Sequence, residues 1–538
     1  MKNMIADPSP SDAPDLDASS PGAKSKTAGD HLTSGRLLAR STVWNLGASV
    51  GSILIALVSV PVLLKYLGTD RFGVISLIWI VEGQFGVFDL GLSAALTKLV
   101  AEKLGLAKDE DIPAIFWSVV LIMGAMGLVA AVILRLFSPL LVYHILKVPP
   151  KIALETLLSF HFVAISLPVV ISSAALRGFL AAYQRFDLLS ATRLPISLFS
   201  YLAPLLVLPF SRTLGPVVLV LVISRFIAWA IHFVLCLRVT PALRHAITIK
   251  GAPFRHMFSF GGWMTVTNIV SPIMVSLDRL LIGALISMSA VAYYATPYEA
   301  ATKMWIIPSA IAAVLFPAFA TAFVHDKNRA AMLYEKGAKY IFLSLFPIVL
   351  CALALGQFVL HLWLGSTFAA QSTTVLQVLV VGVFANSLAQ VPFWQIQAAN
   401  RPDLPAKVHL VELPCYLLLF WGLTKQFGIE GAGIAWALRA TIDSLIMFWL
   451  SGRLLVESKA GTRRLLWMVL SACPFFLSAI WVSKNVPAAM VYVLIVSVAY
   501  VFYAWYSYLT SDERAFAQRI AQSLSFGRGP ILNQVEKS

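Results

Sequence analysis

Charge is what this chain has least of. Only 12% of its 538 residues are Asp, Glu, Lys or Arg, against 59% hydrophobic residues, and the mean hydropathy is +0.81. A soluble domain needs far more polar surface to cover itself. Apolar runs of about 20 residues recur along the length, each enough for one transmembrane helix. The expected class is an all-α polytopic membrane protein. A transmembrane β-barrel is excluded, because its strands would alternate apolar and polar residues with a period of two.

Cysteine is nearly as scarce. Cys236, Cys351, Cys415 and Cys473 fall inside apolar stretches with no CxxC spacing, which argues against a disulfide framework or a metal site and for buried apolar thiols. The phosphate-binding pattern GxxxxGK[ST] and the zinc pattern HExxH are both missing, so nucleotide hydrolysis and zinc chemistry lack a sequence basis. No loop between apolar runs exceeds about 20 residues. That leaves no room for a soluble catalytic domain, nor for the sizeable outer loop that a membrane glycan polymerase or ligase needs. The chain is expected not to be an enzyme and to carry no cofactor. Residues 1–35 are rich in Ser, Pro, Asp and Ala and lack the apolar core of a signal peptide; they are expected to form a disordered tail.

What the chain does have is apolar length. Fourteen spans are expected, near 42–67, 72–99, 114–137, 155–178, 190–210, 214–239, 258–284, 290–323, 339–362, 374–398, 405–425, 429–454, 464–483 and 487–509. With the N-terminus placed in the cytoplasm, 29 of the 41 Lys and Arg residues fall in cytoplasmic segments, nine on the other side and three inside spans. So strong a bias sets the orientation and puts both termini in the cytoplasm. It also accounts for the net charge of +15, so no nucleic-acid partner is needed.

The two halves resemble each other. Ala182-Tyr-Gln-Arg-Phe-Asp187-Leu188 matches Ala398-Ala-Asn-Arg-Pro-Asp403-Leu404 at an offset of 216. Gly68 pairs with Gly283, and Ile223-Ser-Arg225 with Ala437-Leu-Arg439, at offsets of 215 and 214. The organisation expected is a disordered cytoplasmic tail (1–38), an N-terminal six-helix lobe (39–245), a C-terminal six-helix lobe (246–456), two extra transmembrane helices (457–510) and a cytoplasmic tail (511–538). Six is even, so the lobes share an orientation and are related by an axis along the membrane normal. Transporters so built bind substrate between their lobes and alternate which side is open.

Charges inside spans are costly and mark function or pairing. Arg225 and Arg439 lie near mid-depth at matching positions of the two lobes. They are read as the ligands of an anionic head group, because guanidinium suits phosphate geometry. The structural alternative pairs Arg439 with Asp443 one turn on, and Arg225 with a carboxylate of another helix. Glu82, Asp89, Glu299, Lys303 and Asp443 are candidate coupling or cavity charges, with Glu412 a weaker candidate of the same type. Glu299 and Lys303, spaced i,i+4, also suit internal neutralisation. Prolines inside spans, among them Pro61, Pro168, Pro392 and Pro414, predict kinks. Trp363, Tyr293, Tyr294 and Tyr143 read as interfacial belt residues, with sugar stacking as the sharper option.

Three stretches carry a resemblance. They are Leu63-Leu-Lys-Tyr-Leu-Gly-Thr-Asp-Arg-Phe-Gly-Val-Ile-Ser76, Phe88-Asp-Leu-Gly-Leu-Ser-Ala-Ala-Leu-Thr-Lys-Leu-Val-Ala-Glu102, and Leu277-Asp-Arg-Leu-Leu-Ile-Gly283 followed by Val291-Ala-Tyr-Tyr294. Over roughly residues 40–455 the chain resembles the Wzx-like O-antigen flippases of the multidrug/oligosaccharidyl-lipid/polysaccharide exporter (MOP) superfamily. The resemblance implies a V-shaped pair of six-helix lobes in the bacterial inner membrane. It implies an undecaprenyl-pyrophosphate-linked oligosaccharide, an O-antigen or exopolysaccharide repeat unit, moved from the cytoplasmic to the periplasmic leaflet. Its partners would be that lipid-linked oligosaccharide, membrane lipids and the polysaccharide polymerase machinery. A MATE-like drug/cation antiporter of the same superfamily is the alternative; it predicts a cavity richer in acids than in bases.

Overall fold

The structure is a computed structural model that describes residues 35–84, 91–106, 109–244, 262–511, 513–515 and 518. Among the described residues there are fourteen α-helices and no strand: α1 (Gly35–Gln84), α2 (Leu92–Gly105), α3 (Ile112–Leu140), α4 (Pro150–Ala182), α5 (Phe186–Val207), α6 (Leu214–Val239), α7 (Gly262–Leu285), α8 (Met288–Thr302), α9 (Ile306–His325), α10 (Lys327–Leu364), α11 (Ser366–Ala398), α12 (Asp403–Leu454), α13 (Lys459–Val482) and α14 (Val486–Tyr503). Ten helical stretches among the described residues are long and apolar enough to cross a membrane. In hydrocarbon each backbone polar group needs a partner within the protein, and a helix provides one locally.

The helices and the expected spans differ where the chain bends. α1 and α12 run for 50 and 52 residues. At about 1.5 Å per residue either would be more than twice the thickness of a bilayer core. α12 holds two expected spans, and α1 holds the first and the start of the second; in each the division falls at a glycine with positive φ, Gly428 (φ 59°) and Gly68 (φ 80°). At Gly68 nothing lies within 4 Å of the position a Cβ would take, so the requirement there is conformational. The opposite happens in the expected eighth span, where a short 3₁₀ turn, Lys303–Trp305, separates α8 from α9.

Packing divides the helices into two groups. α3, α4 and α6 pack side by side with α2 and α5, and α1 lies against α5, where Trp79 of its second arm meets the Tyr201 ring edge-on. α10, α11 and α12 form the centre of the other group, with α7, α8 and α9 around them and α13 and α14 laid on α10. The groups meet mainly where the second arm of α1 crosses α8. Phe72, Val74, Ile75, Leu77 and Ile78 of that arm are buried in the same apolar cluster as Val291, Ala292 and Tyr294 of α8. Lipid supplies little hydrophobic drive between helices, so close approach through small residues matters more. A Cβ on Gly73 would collide with the carbonyl of Met288, and these two positions are 215 apart in the chain.

The paired sequence motifs fold into the same turn. After α4, Gln184 takes a positive φ of 54°; after α11, Asn400 takes 57°. Arg185 N–H donates back to Leu180 O (3.0 Å), and Arg401 N–H to Ile396 O (3.2 Å). Each arginine then clamps the aspartate two residues on: Arg185 Nε to Asp187 Oδ1 at 3.0 Å, Arg401 Nε to Asp403 Oδ1 at 2.9 Å.

Two expectations about single residues need correction. Tyr294 is not an interfacial belt residue: it is fully buried and donates to Asp278 Oδ2 at 2.8 Å. Of the four thiols only Cys236 is buried, while Cys415 and Cys473 are exposed on outward helix faces. In a membrane protein an outward apolar face meets lipid, which suits a thiol as well as a core does.

Candidate functional site

A cavity of about 1250 Å³ lies between the two groups, walled by α1, α4, α5 and α6 on one side and α7, α8 and α10 on the other. Its charge is one-sided. Arg177, Arg193, Arg225, Arg279 and Lys303 line it, and among the described residues Glu299 is the single carboxylate that does. Ser76, Thr192, Ser197 and Ser200 add hydroxyls to the wall.

Each cation reaches the cavity from a different element. Arg177 sits near the end of α4, Arg193 near the start of α5, and Arg225 eleven residues into the 26-residue α6. Arg279, in α7, has 5% of its surface exposed. Its guanidinium lies over the Tyr298 ring at 4.1 Å, and its Nη2 is 3.5 Å from Glu299 Oε1. Next to it, Asp278 is fully buried and accepts from Arg279 N–H (2.7 Å) as well as from Tyr294. Glu299 stands between two cations, with Lys303 Nζ 3.6 Å from its other oxygen.

A second, smaller cavity of about 230 Å³ lies inside the other group, between α7, α11 and α12. His409, Arg439 and Asp443 line it, and Glu412 borders it across Arg439. The donor atoms of His409, Glu412 and Asp443 lie within 4.8 Å of one another, a spacing that suits one cation. Both Glu412 oxygens and Asp443 Oδ1 are buried with no hydrogen-bond partner.

The candidates named from sequence therefore separate. Arg225, Glu299 and Lys303 line the large cavity. Arg439 does not, and its expected pairing with Arg225 around one ligand is corrected. It lies 4.0 Å from Glu412 and within 6 Å of the faces of Tyr416 and Trp436, in the second cavity. A buried guanidinium is stabilised there by a carboxylate and two ring quadrupoles. Asp443 faces His409 at 3.6 Å rather than Arg439. The Glu82 side chain and the whole of Asp89 lie outside the described residues. Arg177, Arg193 and Arg279 escaped the sequence reading because the first two fell at span ends, where the positive-inside pattern already explained them. Arg279 is one of the nine cations that the span count places on the other side of the membrane. The Asp278-Arg279 pair within an apolar run was the signal that it was buried.

The class that this geometry defines is a multi-pass α-helical membrane protein with a basic central cavity between two helix groups. Its fold is that of the MOP superfamily. It matches an inward-facing multidrug resistance MATE family transporter of that superfamily (TM-score 0.63, 11% identity, covering 79% of this chain and 98% of that one). It matches the lipid II flippase MurJ in an inward closed conformation equally well (TM-score 0.63, 15% identity, 86% and 98%). Residues 62–373 match the model of the polysaccharide biosynthesis protein family, and the chain belongs to that family. A Shigella flexneri protein named "Putative O-antigen transporter" is 29% identical over 425 residues, 77% of this chain and 98% of that protein.

Proposed function

We propose that this protein is a flippase for a lipid-linked oligosaccharide, and that the two helix groups act as lobes with alternating access to the basic cavity between them. It is a transporter rather than an enzyme. The observation that carries this reading is the cavity's lining of four guanidinium groups and one ammonium against a single described carboxylate. A pyrophosphate diester is the natural counter-charge, since guanidinium groups bind phosphate oxygens in pairs. The hydroxyl-bearing wall suits sugars. The family assignment and the O-antigen transporter relative support a glycan cargo, and the flippase neighbour supports a fold able to turn such a lipid over.

In its finer form the cargo is an undecaprenyl-pyrophosphate-linked repeat unit of O-antigen or exopolysaccharide. It moves from the cytoplasmic to the periplasmic leaflet of the inner membrane, for delivery to polymerase machinery. The Lys and Arg distribution supports cytoplasmic termini. The carboxylates around Arg439, Glu412 and Asp443, supply the coupling charges. A drug/cation antiporter shares this fold, but cationic cargo would meet net repulsion in so basic a cavity.

The test uses proteoliposomes holding a fluorescent undecaprenyl-pyrophosphate oligosaccharide in one leaflet. Arg225→Ala should slow its appearance in the other leaflet roughly tenfold or more, the scale of losing one charge-assisted contact to phosphate. Arg225→Lys should retain part of the rate. Wild-type vesicles that export a cationic dye but leave the lipid in place would overturn the reading.

A further inference from the structure

The basic cavity accounts for a head group but not for the chain attached to it. Its lining also includes Ile53, Ala56 and Leu57 of α1 and Val359 and Trp363 of α10. The cavity thus reaches the line along which α1 and α10 face each other across the two groups. This mouth is apolar, and its rim points outward: Leu54, Val58 and Val359 are 58%, 63% and 51% exposed.

One polar contact spans the mouth, and a proline creates it. Pro61 has no N–H, so the carbonyl of Leu57, four residues earlier in α1, has no intrahelical donor. In hydrocarbon such a carbonyl needs another partner. Trp363 supplies it: its indole Nε1 donates to Leu57 O at 2.6 Å. Hydrogen bonding thus ties the two helix groups together beside the opening.

From this continuity we infer that the seam between α1 and α10 is the binding track of the carrier's polyprenyl chain, and that the Trp363–Leu57 bond is its latch. The inference rests on the lipid-linked reading above and extends it to the other end of the same substrate. The occupant is set by chemistry. An apolar chain joined to a head group held among five cations must leave the cavity, because every methylene left in a charged, wet space is unfavourable. Among the lining groups named here, those of α1 and α10 form the stretch without charge, and they open toward the surface that lipid covers.

The experiment uses full-length protein in detergent with two probes. One is a long polyprenyl pyrophosphate bearing benzophenone along its chain; the other is inorganic pyrophosphate, measured by calorimetry. Photolabelling should fall on residues 53–60 and 359–363. Ala56→Trp, which fills the track, should cut that labelling roughly tenfold and leave pyrophosphate affinity within about twofold. Trp363→Phe keeps the ring but removes the donor, and should raise the labelling rate roughly fivefold, the factor one net hydrogen bond is worth. Monodisperse elution on size exclusion shows that each variant is folded. If pyrophosphate binds but labelling falls on other helices, or Ala56→Trp leaves it unchanged, the track is wrong and the flippase reading stands. If neither probe binds, both readings fall.

Discussion

Glu299 is the residue on which the cavity's charge balance turns. Its two oxygens lie between Arg279 and Lys303, positions that a phosphate group would also seek. The carboxylate is half exposed, so its hold on either cation is modest. It keeps the cations ordered without occupying them tightly, and on the flippase reading an incoming pyrophosphate would compete with it directly. Glu299→Gln removes the competitor and should tighten inorganic pyrophosphate binding by about two- to fivefold at low salt, with the gain shrinking as salt rises; calorimetry at two ionic strengths measures it. An unchanged affinity would place the phosphate away from Arg279 and Lys303. The depth of these charges was legible in the sequence, because counting residues along a helix gives depth. The direction each one faces was not. Arg225 and Arg439 share a depth and a repeat position, yet they line different cavities. Which neighbour a mid-helix side chain meets depends on how helices far apart in the chain pack.

At the scale of helices, prolines act as docking points as much as kinks. Pro297 frees the carbonyl of Tyr293, and Ser372 of α11 donates to it at 2.8 Å. Pro347 frees Leu343, and the Tyr500 hydroxyl of α14 donates to it at 3.0 Å. With the Trp363–Leu57 bond, these make three proline-freed carbonyls that each join two helices. The pairing at α14 can be isolated by a double-mutant cycle. Tyr500→Phe should cost about 1 kcal/mol in the parent protein, because Leu343 O is left bare. In a Pro347→Ala background the helix restores its own donor, and the same change should cost close to nothing. Thermal midpoints in detergent read both; equal losses in the two backgrounds would mean that Tyr500 acts only through packing. The sequence displayed the prolines openly. Their partners stayed hidden, since a freed carbonyl is satisfied by whichever donor tertiary packing brings to it.

For the whole molecule, the sequence was most informative where it repeats. The Arg-x-Asp motifs 216 residues apart build the same turn, with the same clamp and positive φ at equivalent positions. The fourteen expected spans all find helical counterparts in the described residues, although two pairs are fused across bent glycines, the eighth is interrupted, and part of the second lies outside the described residues. Beyond the last appended helix, Glu513 adds one more tie to α10. It accepts from Lys339 Nζ at 2.8 Å and from the Tyr340 hydroxyl. Partial burial pushes this carboxyl up, but the hydrogen bonds from Lys339 and Tyr340 outweigh that and hold it down at about 2, against an ordinary value of 4.5. A depressed carboxyl stabilises the docked state above its unfolded value and loses that contribution as pH falls through the folded one. The segment around Glu513 should therefore stay docked down to about pH 4.5 and loosen between there and pH 2. A spin label at Ser511→Cys would report it as rising mobility over that window. In a Glu513→Gln variant the label should be mobile already at pH 7; an immobile one would assign the docking to other contacts.

The crossing of α1 and α8 limits how such a molecule can change shape. Residue 73 carries no side chain, and the backbone of residue 288 fills the space one would take. With no cushion of side chains there, the two backbones touch directly, and a rolling motion about that touch-point would disturb the contact least. If the two groups alternate as proposed above, the crossing would serve as a fulcrum: widening the gap at one face of the membrane would narrow it at the other, and the cargo's two exits would not open together.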